Sequence, residues 1–167
     1  MKLLTACLVA LALLCLSACG GGESLLSYQG EEATLSLSFE RGGVPCTATL
    51  WLAEGGAERD FTLTYTAPDA LAGLTVFREA GEVRCQYGGA AIPLEALPEG
   101  FSPVSLFSIP DAARVRSVES EGDDRVATLS HGDAVYTLRF RAGEARPYYV
   151  ARTEDGVLTA VTVTEYK

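Results

Sequence analysis

Apolar and polar residues alternate one for one along most of this chain, and a period of two leaves room for little except strands. Ala33, Leu35, Leu37 and Phe39 alternate with Thr34, Ser36, Ser38 and Glu40. Cys46, Ala48, Leu50 and Leu52 alternate with Thr47, Thr49 and Trp51, and Phe61, Leu63 and Tyr65 with Thr62, Thr64 and Thr66. Successive strand side chains point to opposite faces, so each run offers one face to a core and one to water. Further strands are expected at 74–78, 83–87, 115–120, 125–130, 135–141, 147–152 and 157–164. Gly-bearing turns such as Arg41-Gly42-Gly43, Glu54-Gly55-Gly56 and His131-Gly132-Asp133 link many of them. Short links favour an antiparallel meander. About ten strands in one sheet twist strongly enough to curl. The expected fold is therefore mainly β: a curved antiparallel sheet, or half-barrel.

Residues 88–113 break the pattern with Pro93, Pro98, Pro103 and Pro110, four of the seven prolines. Pro103 is a good first helical residue, so Ser105-Leu106-Phe107-Ser108 reads as a helical turn. The stretch reads as a crossing segment with one or two short helices that cover the opening of the sheet. Trp51 has two readings: packed beneath that segment, or exposed as an aromatic contact for a partner.

The start of the chain is of another kind. Lys2 precedes an apolar run from Leu3 to Leu16, 14 residues long, too short for a comfortable membrane span of about 20. Leu16-Ser17-Ala18-Cys19 follows, then Gly20-Gly21-Gly22. A charged start, a short apolar segment and small residues before a cut site read as a secretory signal. The ending resembles the bacterial lipobox. That resemblance implies cleavage before Cys19 and diacylglycerol on its sulfur, two acyl chains being enough for stable anchoring. An ordinary secretory signal carrying an incidental cysteine, or an uncleaved anchor, is the competing reading. The expected organisation is a signal peptide over 1–18, a lipidated tether over 19–30 and one β-rich domain over 31–167, held at the extracytoplasmic face of a cell membrane.

Of the charged residues only Lys2 leaves with residues 1–18, so 12 basic residues face 22 acidic ones, a net charge of −10. Such a balance argues against nucleic acid as a partner. It argues equally against a polybasic second membrane contact. Cys46 and Cys85 remain after cleavage and lipidation, both on the apolar parity of their strands. In a flat meander three strand spacings, about 14 Å, separate them, and a disulfide needs Cα atoms within about 7 Å. Strong curling or a different strand order would permit the bond; otherwise the two are buried free thiols.

The order of elements over roughly 28–164 resembles the LolA/LolB lipoprotein-carrier superfamily. The local likeness lies in Phe61-Thr-Leu-Thr-Tyr65-Thr-Ala-Pro68, then Leu74-Thr-Val-Phe77, then Val83-Arg-Cys-Gln-Tyr87, and in the proline-rich insertion at mid-chain. The long N-terminal helix usual in that family is missing or reduced to 24–29. The resemblance implies a curved sheet with an apolar concave face.

Catalytic and metal chemistry find little to use. Ser130, His131 and Asp133 have the residue types of a triad but share one tight turn, where adjacent side chains do not reach one another as a triad requires. His131 is the only histidine and no C-x-x-C is present, which removes the usual zinc patterns. Glu119-Ser-Glu-Gly-Asp-Asp124 alternates acids as a calcium loop does, but glycine falls fourth and Ser130 stands where a bidentate glutamate is required. No cofactor, metal site or enzymatic activity is expected. The expected function is a non-catalytic binding module for an apolar ligand, a lipid or an acylated protein. Leu50, Leu52, Phe61, Leu63 and Tyr65 would line it from the sheet, Leu106 and Phe107 from the cover, with Tyr65, Leu106 and Phe107 at the mouth. The alternative is a structural or regulatory interaction domain of the cell envelope, with a core filled by its own side chains. A monomer is expected in either case.

Overall fold

The computed structural model describes residues 25–56, 58–95 and 103–167. Among them the chain forms eleven antiparallel strands in one open, curved sheet. They are β1 (Ala33–Arg41), β2 (Val44–Leu52), β3 (Phe61–Ala67), β4 (Thr75–Glu79), β5 (Glu82–Tyr87), β6 (Ala90–Leu94), β7 (Arg114–Glu121), β8 (Asp124–His131), β9 (Ala134–Phe140), β10 (Tyr149–Glu154) and β11 (Val157–Tyr166). The order across the sheet is β6-β5-β4-β3-β2-β1-β11-β10-β9-β8-β7. The chain thus meanders outward from the centre to one edge, crosses to the other edge between β6 and β7, and meanders back. Its first and last strands meet in the middle, with Leu37 beside Val163 and Phe39 beside Val161.

The mainly β half-barrel expected from the alternation is the observed fold. One face of each central strand is buried and the other half-exposed, as in the pattern of β3, where Phe61, Leu63 and Tyr65 are buried between Thr62 and Thr64. The extra strand is β6, inside the proline-rich stretch. Pro93 counts against a strand in sequence, but β6 is an edge strand, where a missing ladder donor costs little.

Two short 3-10 helices lie on the concave face. One spans Ser27–Gly30, the other Pro103–Phe107. The second begins at Pro103, two residues before the turn read at Ser105–Ser108, and packs Val104, Leu106, Phe107 and the following Ile109 into the core, against β10 and β11. The first brings in Leu25 and Tyr28. The folded part therefore starts at least by Leu25, within the stretch read as tether. Cys19 lies outside the described residues. Among those described, no helix is long and apolar enough to cross a membrane.

Trp51 is on the convex face, half-buried, with its indole N–H donating to Glu32 at 3.2 Å. Neither placement read from the sequence holds fully: the proline-rich segment covers the opposite face, and the ring lies partly against its own sheet. Ser130–Asp133 forms the β8–β9 turn, with His131 opposite Ala134. Glu119–Asp124 forms the β7–β8 hairpin, with Glu121 opposite Asp124.

Candidate functional site

The concave face gathers the apolar side chains of the sheet, and the sheet supplies them by parity. Leu35 and Leu37 of β1, Leu50 and Leu52 of β2, Phe61, Leu63 and Tyr65 of β3 and Val76 of β4 line one half. Leu129 of β8, Tyr136 and Leu138 of β9, Val150 of β10 and Val161 and Val163 of β11 line the other. All seven lining residues read from the sequence belong to this one cluster, so the structure brings them together. The three residues read from the sequence as a mouth do not form an opening. Tyr65, Leu106 and Phe107 are at most 1% exposed; Leu106 and Phe107 belong to the 3-10 helix that packs on β10 and β11. The Tyr65 ring meets Phe39 edge to face at 5.9 Å. Burial pushes its hydroxyl above the usual tyrosine range, against the pull of Arg41.

The apolar face is wider than its cover. Val76 is opposite Cys85, which is opposite Ile92, and Val83 is opposite Leu94. All lie on the concave parity. Along this row burial falls away: Val76 is buried, Val83, Cys85 and Leu94 are half-buried, and Ile92 is 62% exposed. The β5–β6 wing therefore presents an apolar rim to solvent. Cys46 and Cys85 are both free thiols. The disulfide left open above is not formed, since β3 and β4 stand between the two strands that carry them.

The cover is attached through polar groups that the alternation does not reveal. Arg59, in the β2–β3 connection, is only 8% exposed. Its Nη1 donates to the carbonyls of Gln29 and Glu31, and its Nη2 donates to the carbonyl of Phe107 at 2.9 Å. One guanidinium thus ties the segments around both 3-10 helices to the same loop, a task suited to its planar fork of donors. Gln29 adds a reciprocal pair: its Nε2 donates to the Ile109 carbonyl at 3.2 Å, and the Ile109 N–H donates to its Oε1 at 2.6 Å. Burial lowers the Arg59 pKa from its ordinary value, and the nearby Tyr28 hydroxyl partly offsets that. Burial likewise raises Tyr28 above the usual tyrosine range. A cleft of about 290 Å³ opens at this junction, lined among others by Leu26, Gln29, Gly55, Ser108, Ile109 and Asp111.

Sequence reasoning missed Arg59 and Gln29. Arg59 sits between Glu58 and Asp60, where it reads as one more charge in a turn. Its function here is non-local, linking carbonyls 28 to 48 residues away, and no spacing rule marks that.

In sequence, no protein-family model and no curated protein matches the chain. In structure it is similar to an uncharacterized conserved protein from Thermus thermophilus, at 14% identity and a TM-score of 0.56, over 87% of this chain and 83% of that one. It is also similar to a LolA superfamily protein from Nitrosomonas europaea, at 10% identity and a TM-score of 0.49, over 87% and 92% of the two chains. MucB, in the complex of Pseudomonas aeruginosa MucA and MucB, matches at 18% identity and a TM-score of 0.47 over 87% of this chain; only 54% of MucB is covered. At these identities what the chain shares with the Thermus protein is the fold, a curved antiparallel sheet.

Proposed function

We propose that this chain is a membrane-anchored, extracytoplasmic and non-catalytic binding module that takes an apolar ligand, a lipid or an acylated protein, onto the concave face of its half-barrel. The observation that carries this reading is the apolar face that outruns its cover on β5 and β6. Exposed contiguous apolar surface of this kind marks a binding groove more often than idle surface. The cover is held to the body by Arg59 and Gln29 through hydrogen bonds to main chain as well as by its packed apolar side chains. An acyl chain enters at the Ile92 rim and displaces the cover from Leu106 and Phe107 inward.

A second reading has its own observation. The near-complete burial of Tyr65, Leu106 and Phe107 fits an interaction domain with a filled core that works through its loops. A fluorescent fatty-acid probe separates the two. The binding module takes up the probe, and Ile92→Asp, which places a charge on the rim, weakens uptake by about tenfold at unchanged circular dichroism. A parent that binds no probe is the filled-core domain instead.

Anchoring is tested separately. Leu16-Ser17-Ala18-Cys19 supports it, and Cys19→Ala is expected to abolish incorporation of labelled palmitate. Incorporation that persists in this variant removes lipidation at Cys19 from the proposal.

A further inference from the structure

Among the described residues the sheet has two open edges, β6 and β7, and they are protected unequally. β6 has five residues and carries Pro93, which removes a ladder donor. β7 is eight residues long, Arg114-Val-Arg-Ser-Val-Glu-Ser-Glu121, without proline or glycine. A long edge strand of this kind presents a row of unpaired N–H and C=O groups to any strand that fits.

We propose that β7 pairs with β7 of a second copy of this chain, antiparallel about a two-fold axis at Val118, to form a homodimer. The argument is one of register and charge. Residues opposite each other across a two-fold normal to the sheet must lie on the same face, so only self-complementary strands fit. β7 carries its basic residues at one end, Arg114 and Arg116, and its acidic residues at the other, Glu119 and Glu121. Simple alternation would put Arg116 and Glu119 on opposite faces. The bulge corrects this. Val115 pairs with Leu129 and Ser117 with Thr128, leaving Arg116 as the inserted residue. Val115 and Val118 both face the core side, opposite Leu129 and Ala127, so Arg116 and Ser117 share the convex face with Glu119.

With Val118 on the axis, Arg116 and Ser117 of one copy come opposite Glu119 of the other, and Arg114 comes opposite Glu121. On the concave side Val118 meets Val118, and Val115 meets Ser120. Val118 is 49% exposed and gains cover in the pair. Arg114 and Glu119 make no ion pair among the described residues, whereas Glu121 already pairs with Arg139 at 2.8 Å. Opposite charges across a ladder stabilise it and like charges destabilise it. The symmetry makes each such pair occur twice. The remainder of the surface is acidic, so two copies repel in most other orientations. The segregation of charge along β7 selects this one.

The test compares four full-length chains in a mild non-ionic detergent by sedimentation equilibrium over a range of concentrations. They are the parent, Arg116→Glu, Glu119→Arg and the double reversal Arg116→Glu/Glu119→Arg. These side chains are exposed, so the circular dichroism of all four should agree. The parent is expected to form a reversible dimer that weakens with salt. Each single reversal raises the dissociation constant by about tenfold or more, since it sets like charges opposite one another twice. The double reversal restores dimerisation. A parent that stays monomeric at every concentration overturns the proposal. So does a double reversal no better than the singles, or association alike in all four chains, which would place the contact elsewhere or in the lipid.

Discussion

Replacing Arg59 by leucine is expected to lower the melting temperature by about 10 °C and to raise the binding of an apolar dye. The stability effect follows from what Arg59 holds. It donates to the carbonyls of Gln29, Glu31 and Phe107 from a largely buried position. Leucine keeps much of the volume but strands those acceptors. Hydrogen bonds to a charged group contribute about 1.5–3 kcal/mol each, and burying the guanidinium offsets part of that. A net loss of about 3 kcal/mol corresponds to about 10 °C in a domain of this size. The dye effect follows from where the carbonyls are. Two belong to the segment around the first 3-10 helix and one to the second, so their release loosens the cover over the concave face. Arg59→Lys should fall between parent and leucine variant, since an ammonium lacks the fork that reaches both segments. Unchanged dye binding in the leucine variant would mean that Arg59 supports the loop and not the cover.

Truncation of Phe107 to alanine is expected to cost about 3–5 kcal/mol, the usual range for a buried phenylalanine. Its side chain is 1% exposed and belongs to the core cluster with the buried leucines of the sheet. The reading from sequence puts Phe107 at an open mouth, where the same change would cost little. The two expectations differ by several kcal/mol, so thermal melting decides between them. If the proposed module is correct, the variant also leaves a void under the cover. A fatty-acid probe should then bind at least as well as to the parent, because the ligand no longer has to displace the ring. A small melting shift with lost probe binding would return Phe107 to the rim of an open site.

Val83 and Leu94 illustrate what local pattern cannot give. Both have the parity and character of interior residues, as do Leu50 and Leu63. Yet Leu50 and Leu63 are fully buried while Val83 and Leu94 are half-exposed. Parity decides the face; the extent of the cover decides the burial. Likewise the four prolines of 88–113 mark an interruption but not its parts. Pro93 sits in an edge strand and Pro103 opens a 3-10 helix. The difference lies in the neighbours each has in space.

By itself, then, the amino-acid sequence determined ten of the eleven strands, their turns and, away from the bulges, the face each residue takes. Period-two alternation is a property of the extended backbone and needs no distant partner to be read. It carried the curved antiparallel sheet and the membership of the concave cluster. Only the tertiary structure decided that β1 lies against β11, that β6 and β7 are the edges, and that Arg59 and Gln29 fasten the cover to the body. These are contacts between residues tens of positions apart. Hydrogen bonds from a side chain to distant carbonyls leave no trace in composition or periodicity, because a carbonyl is the same at every position of the chain.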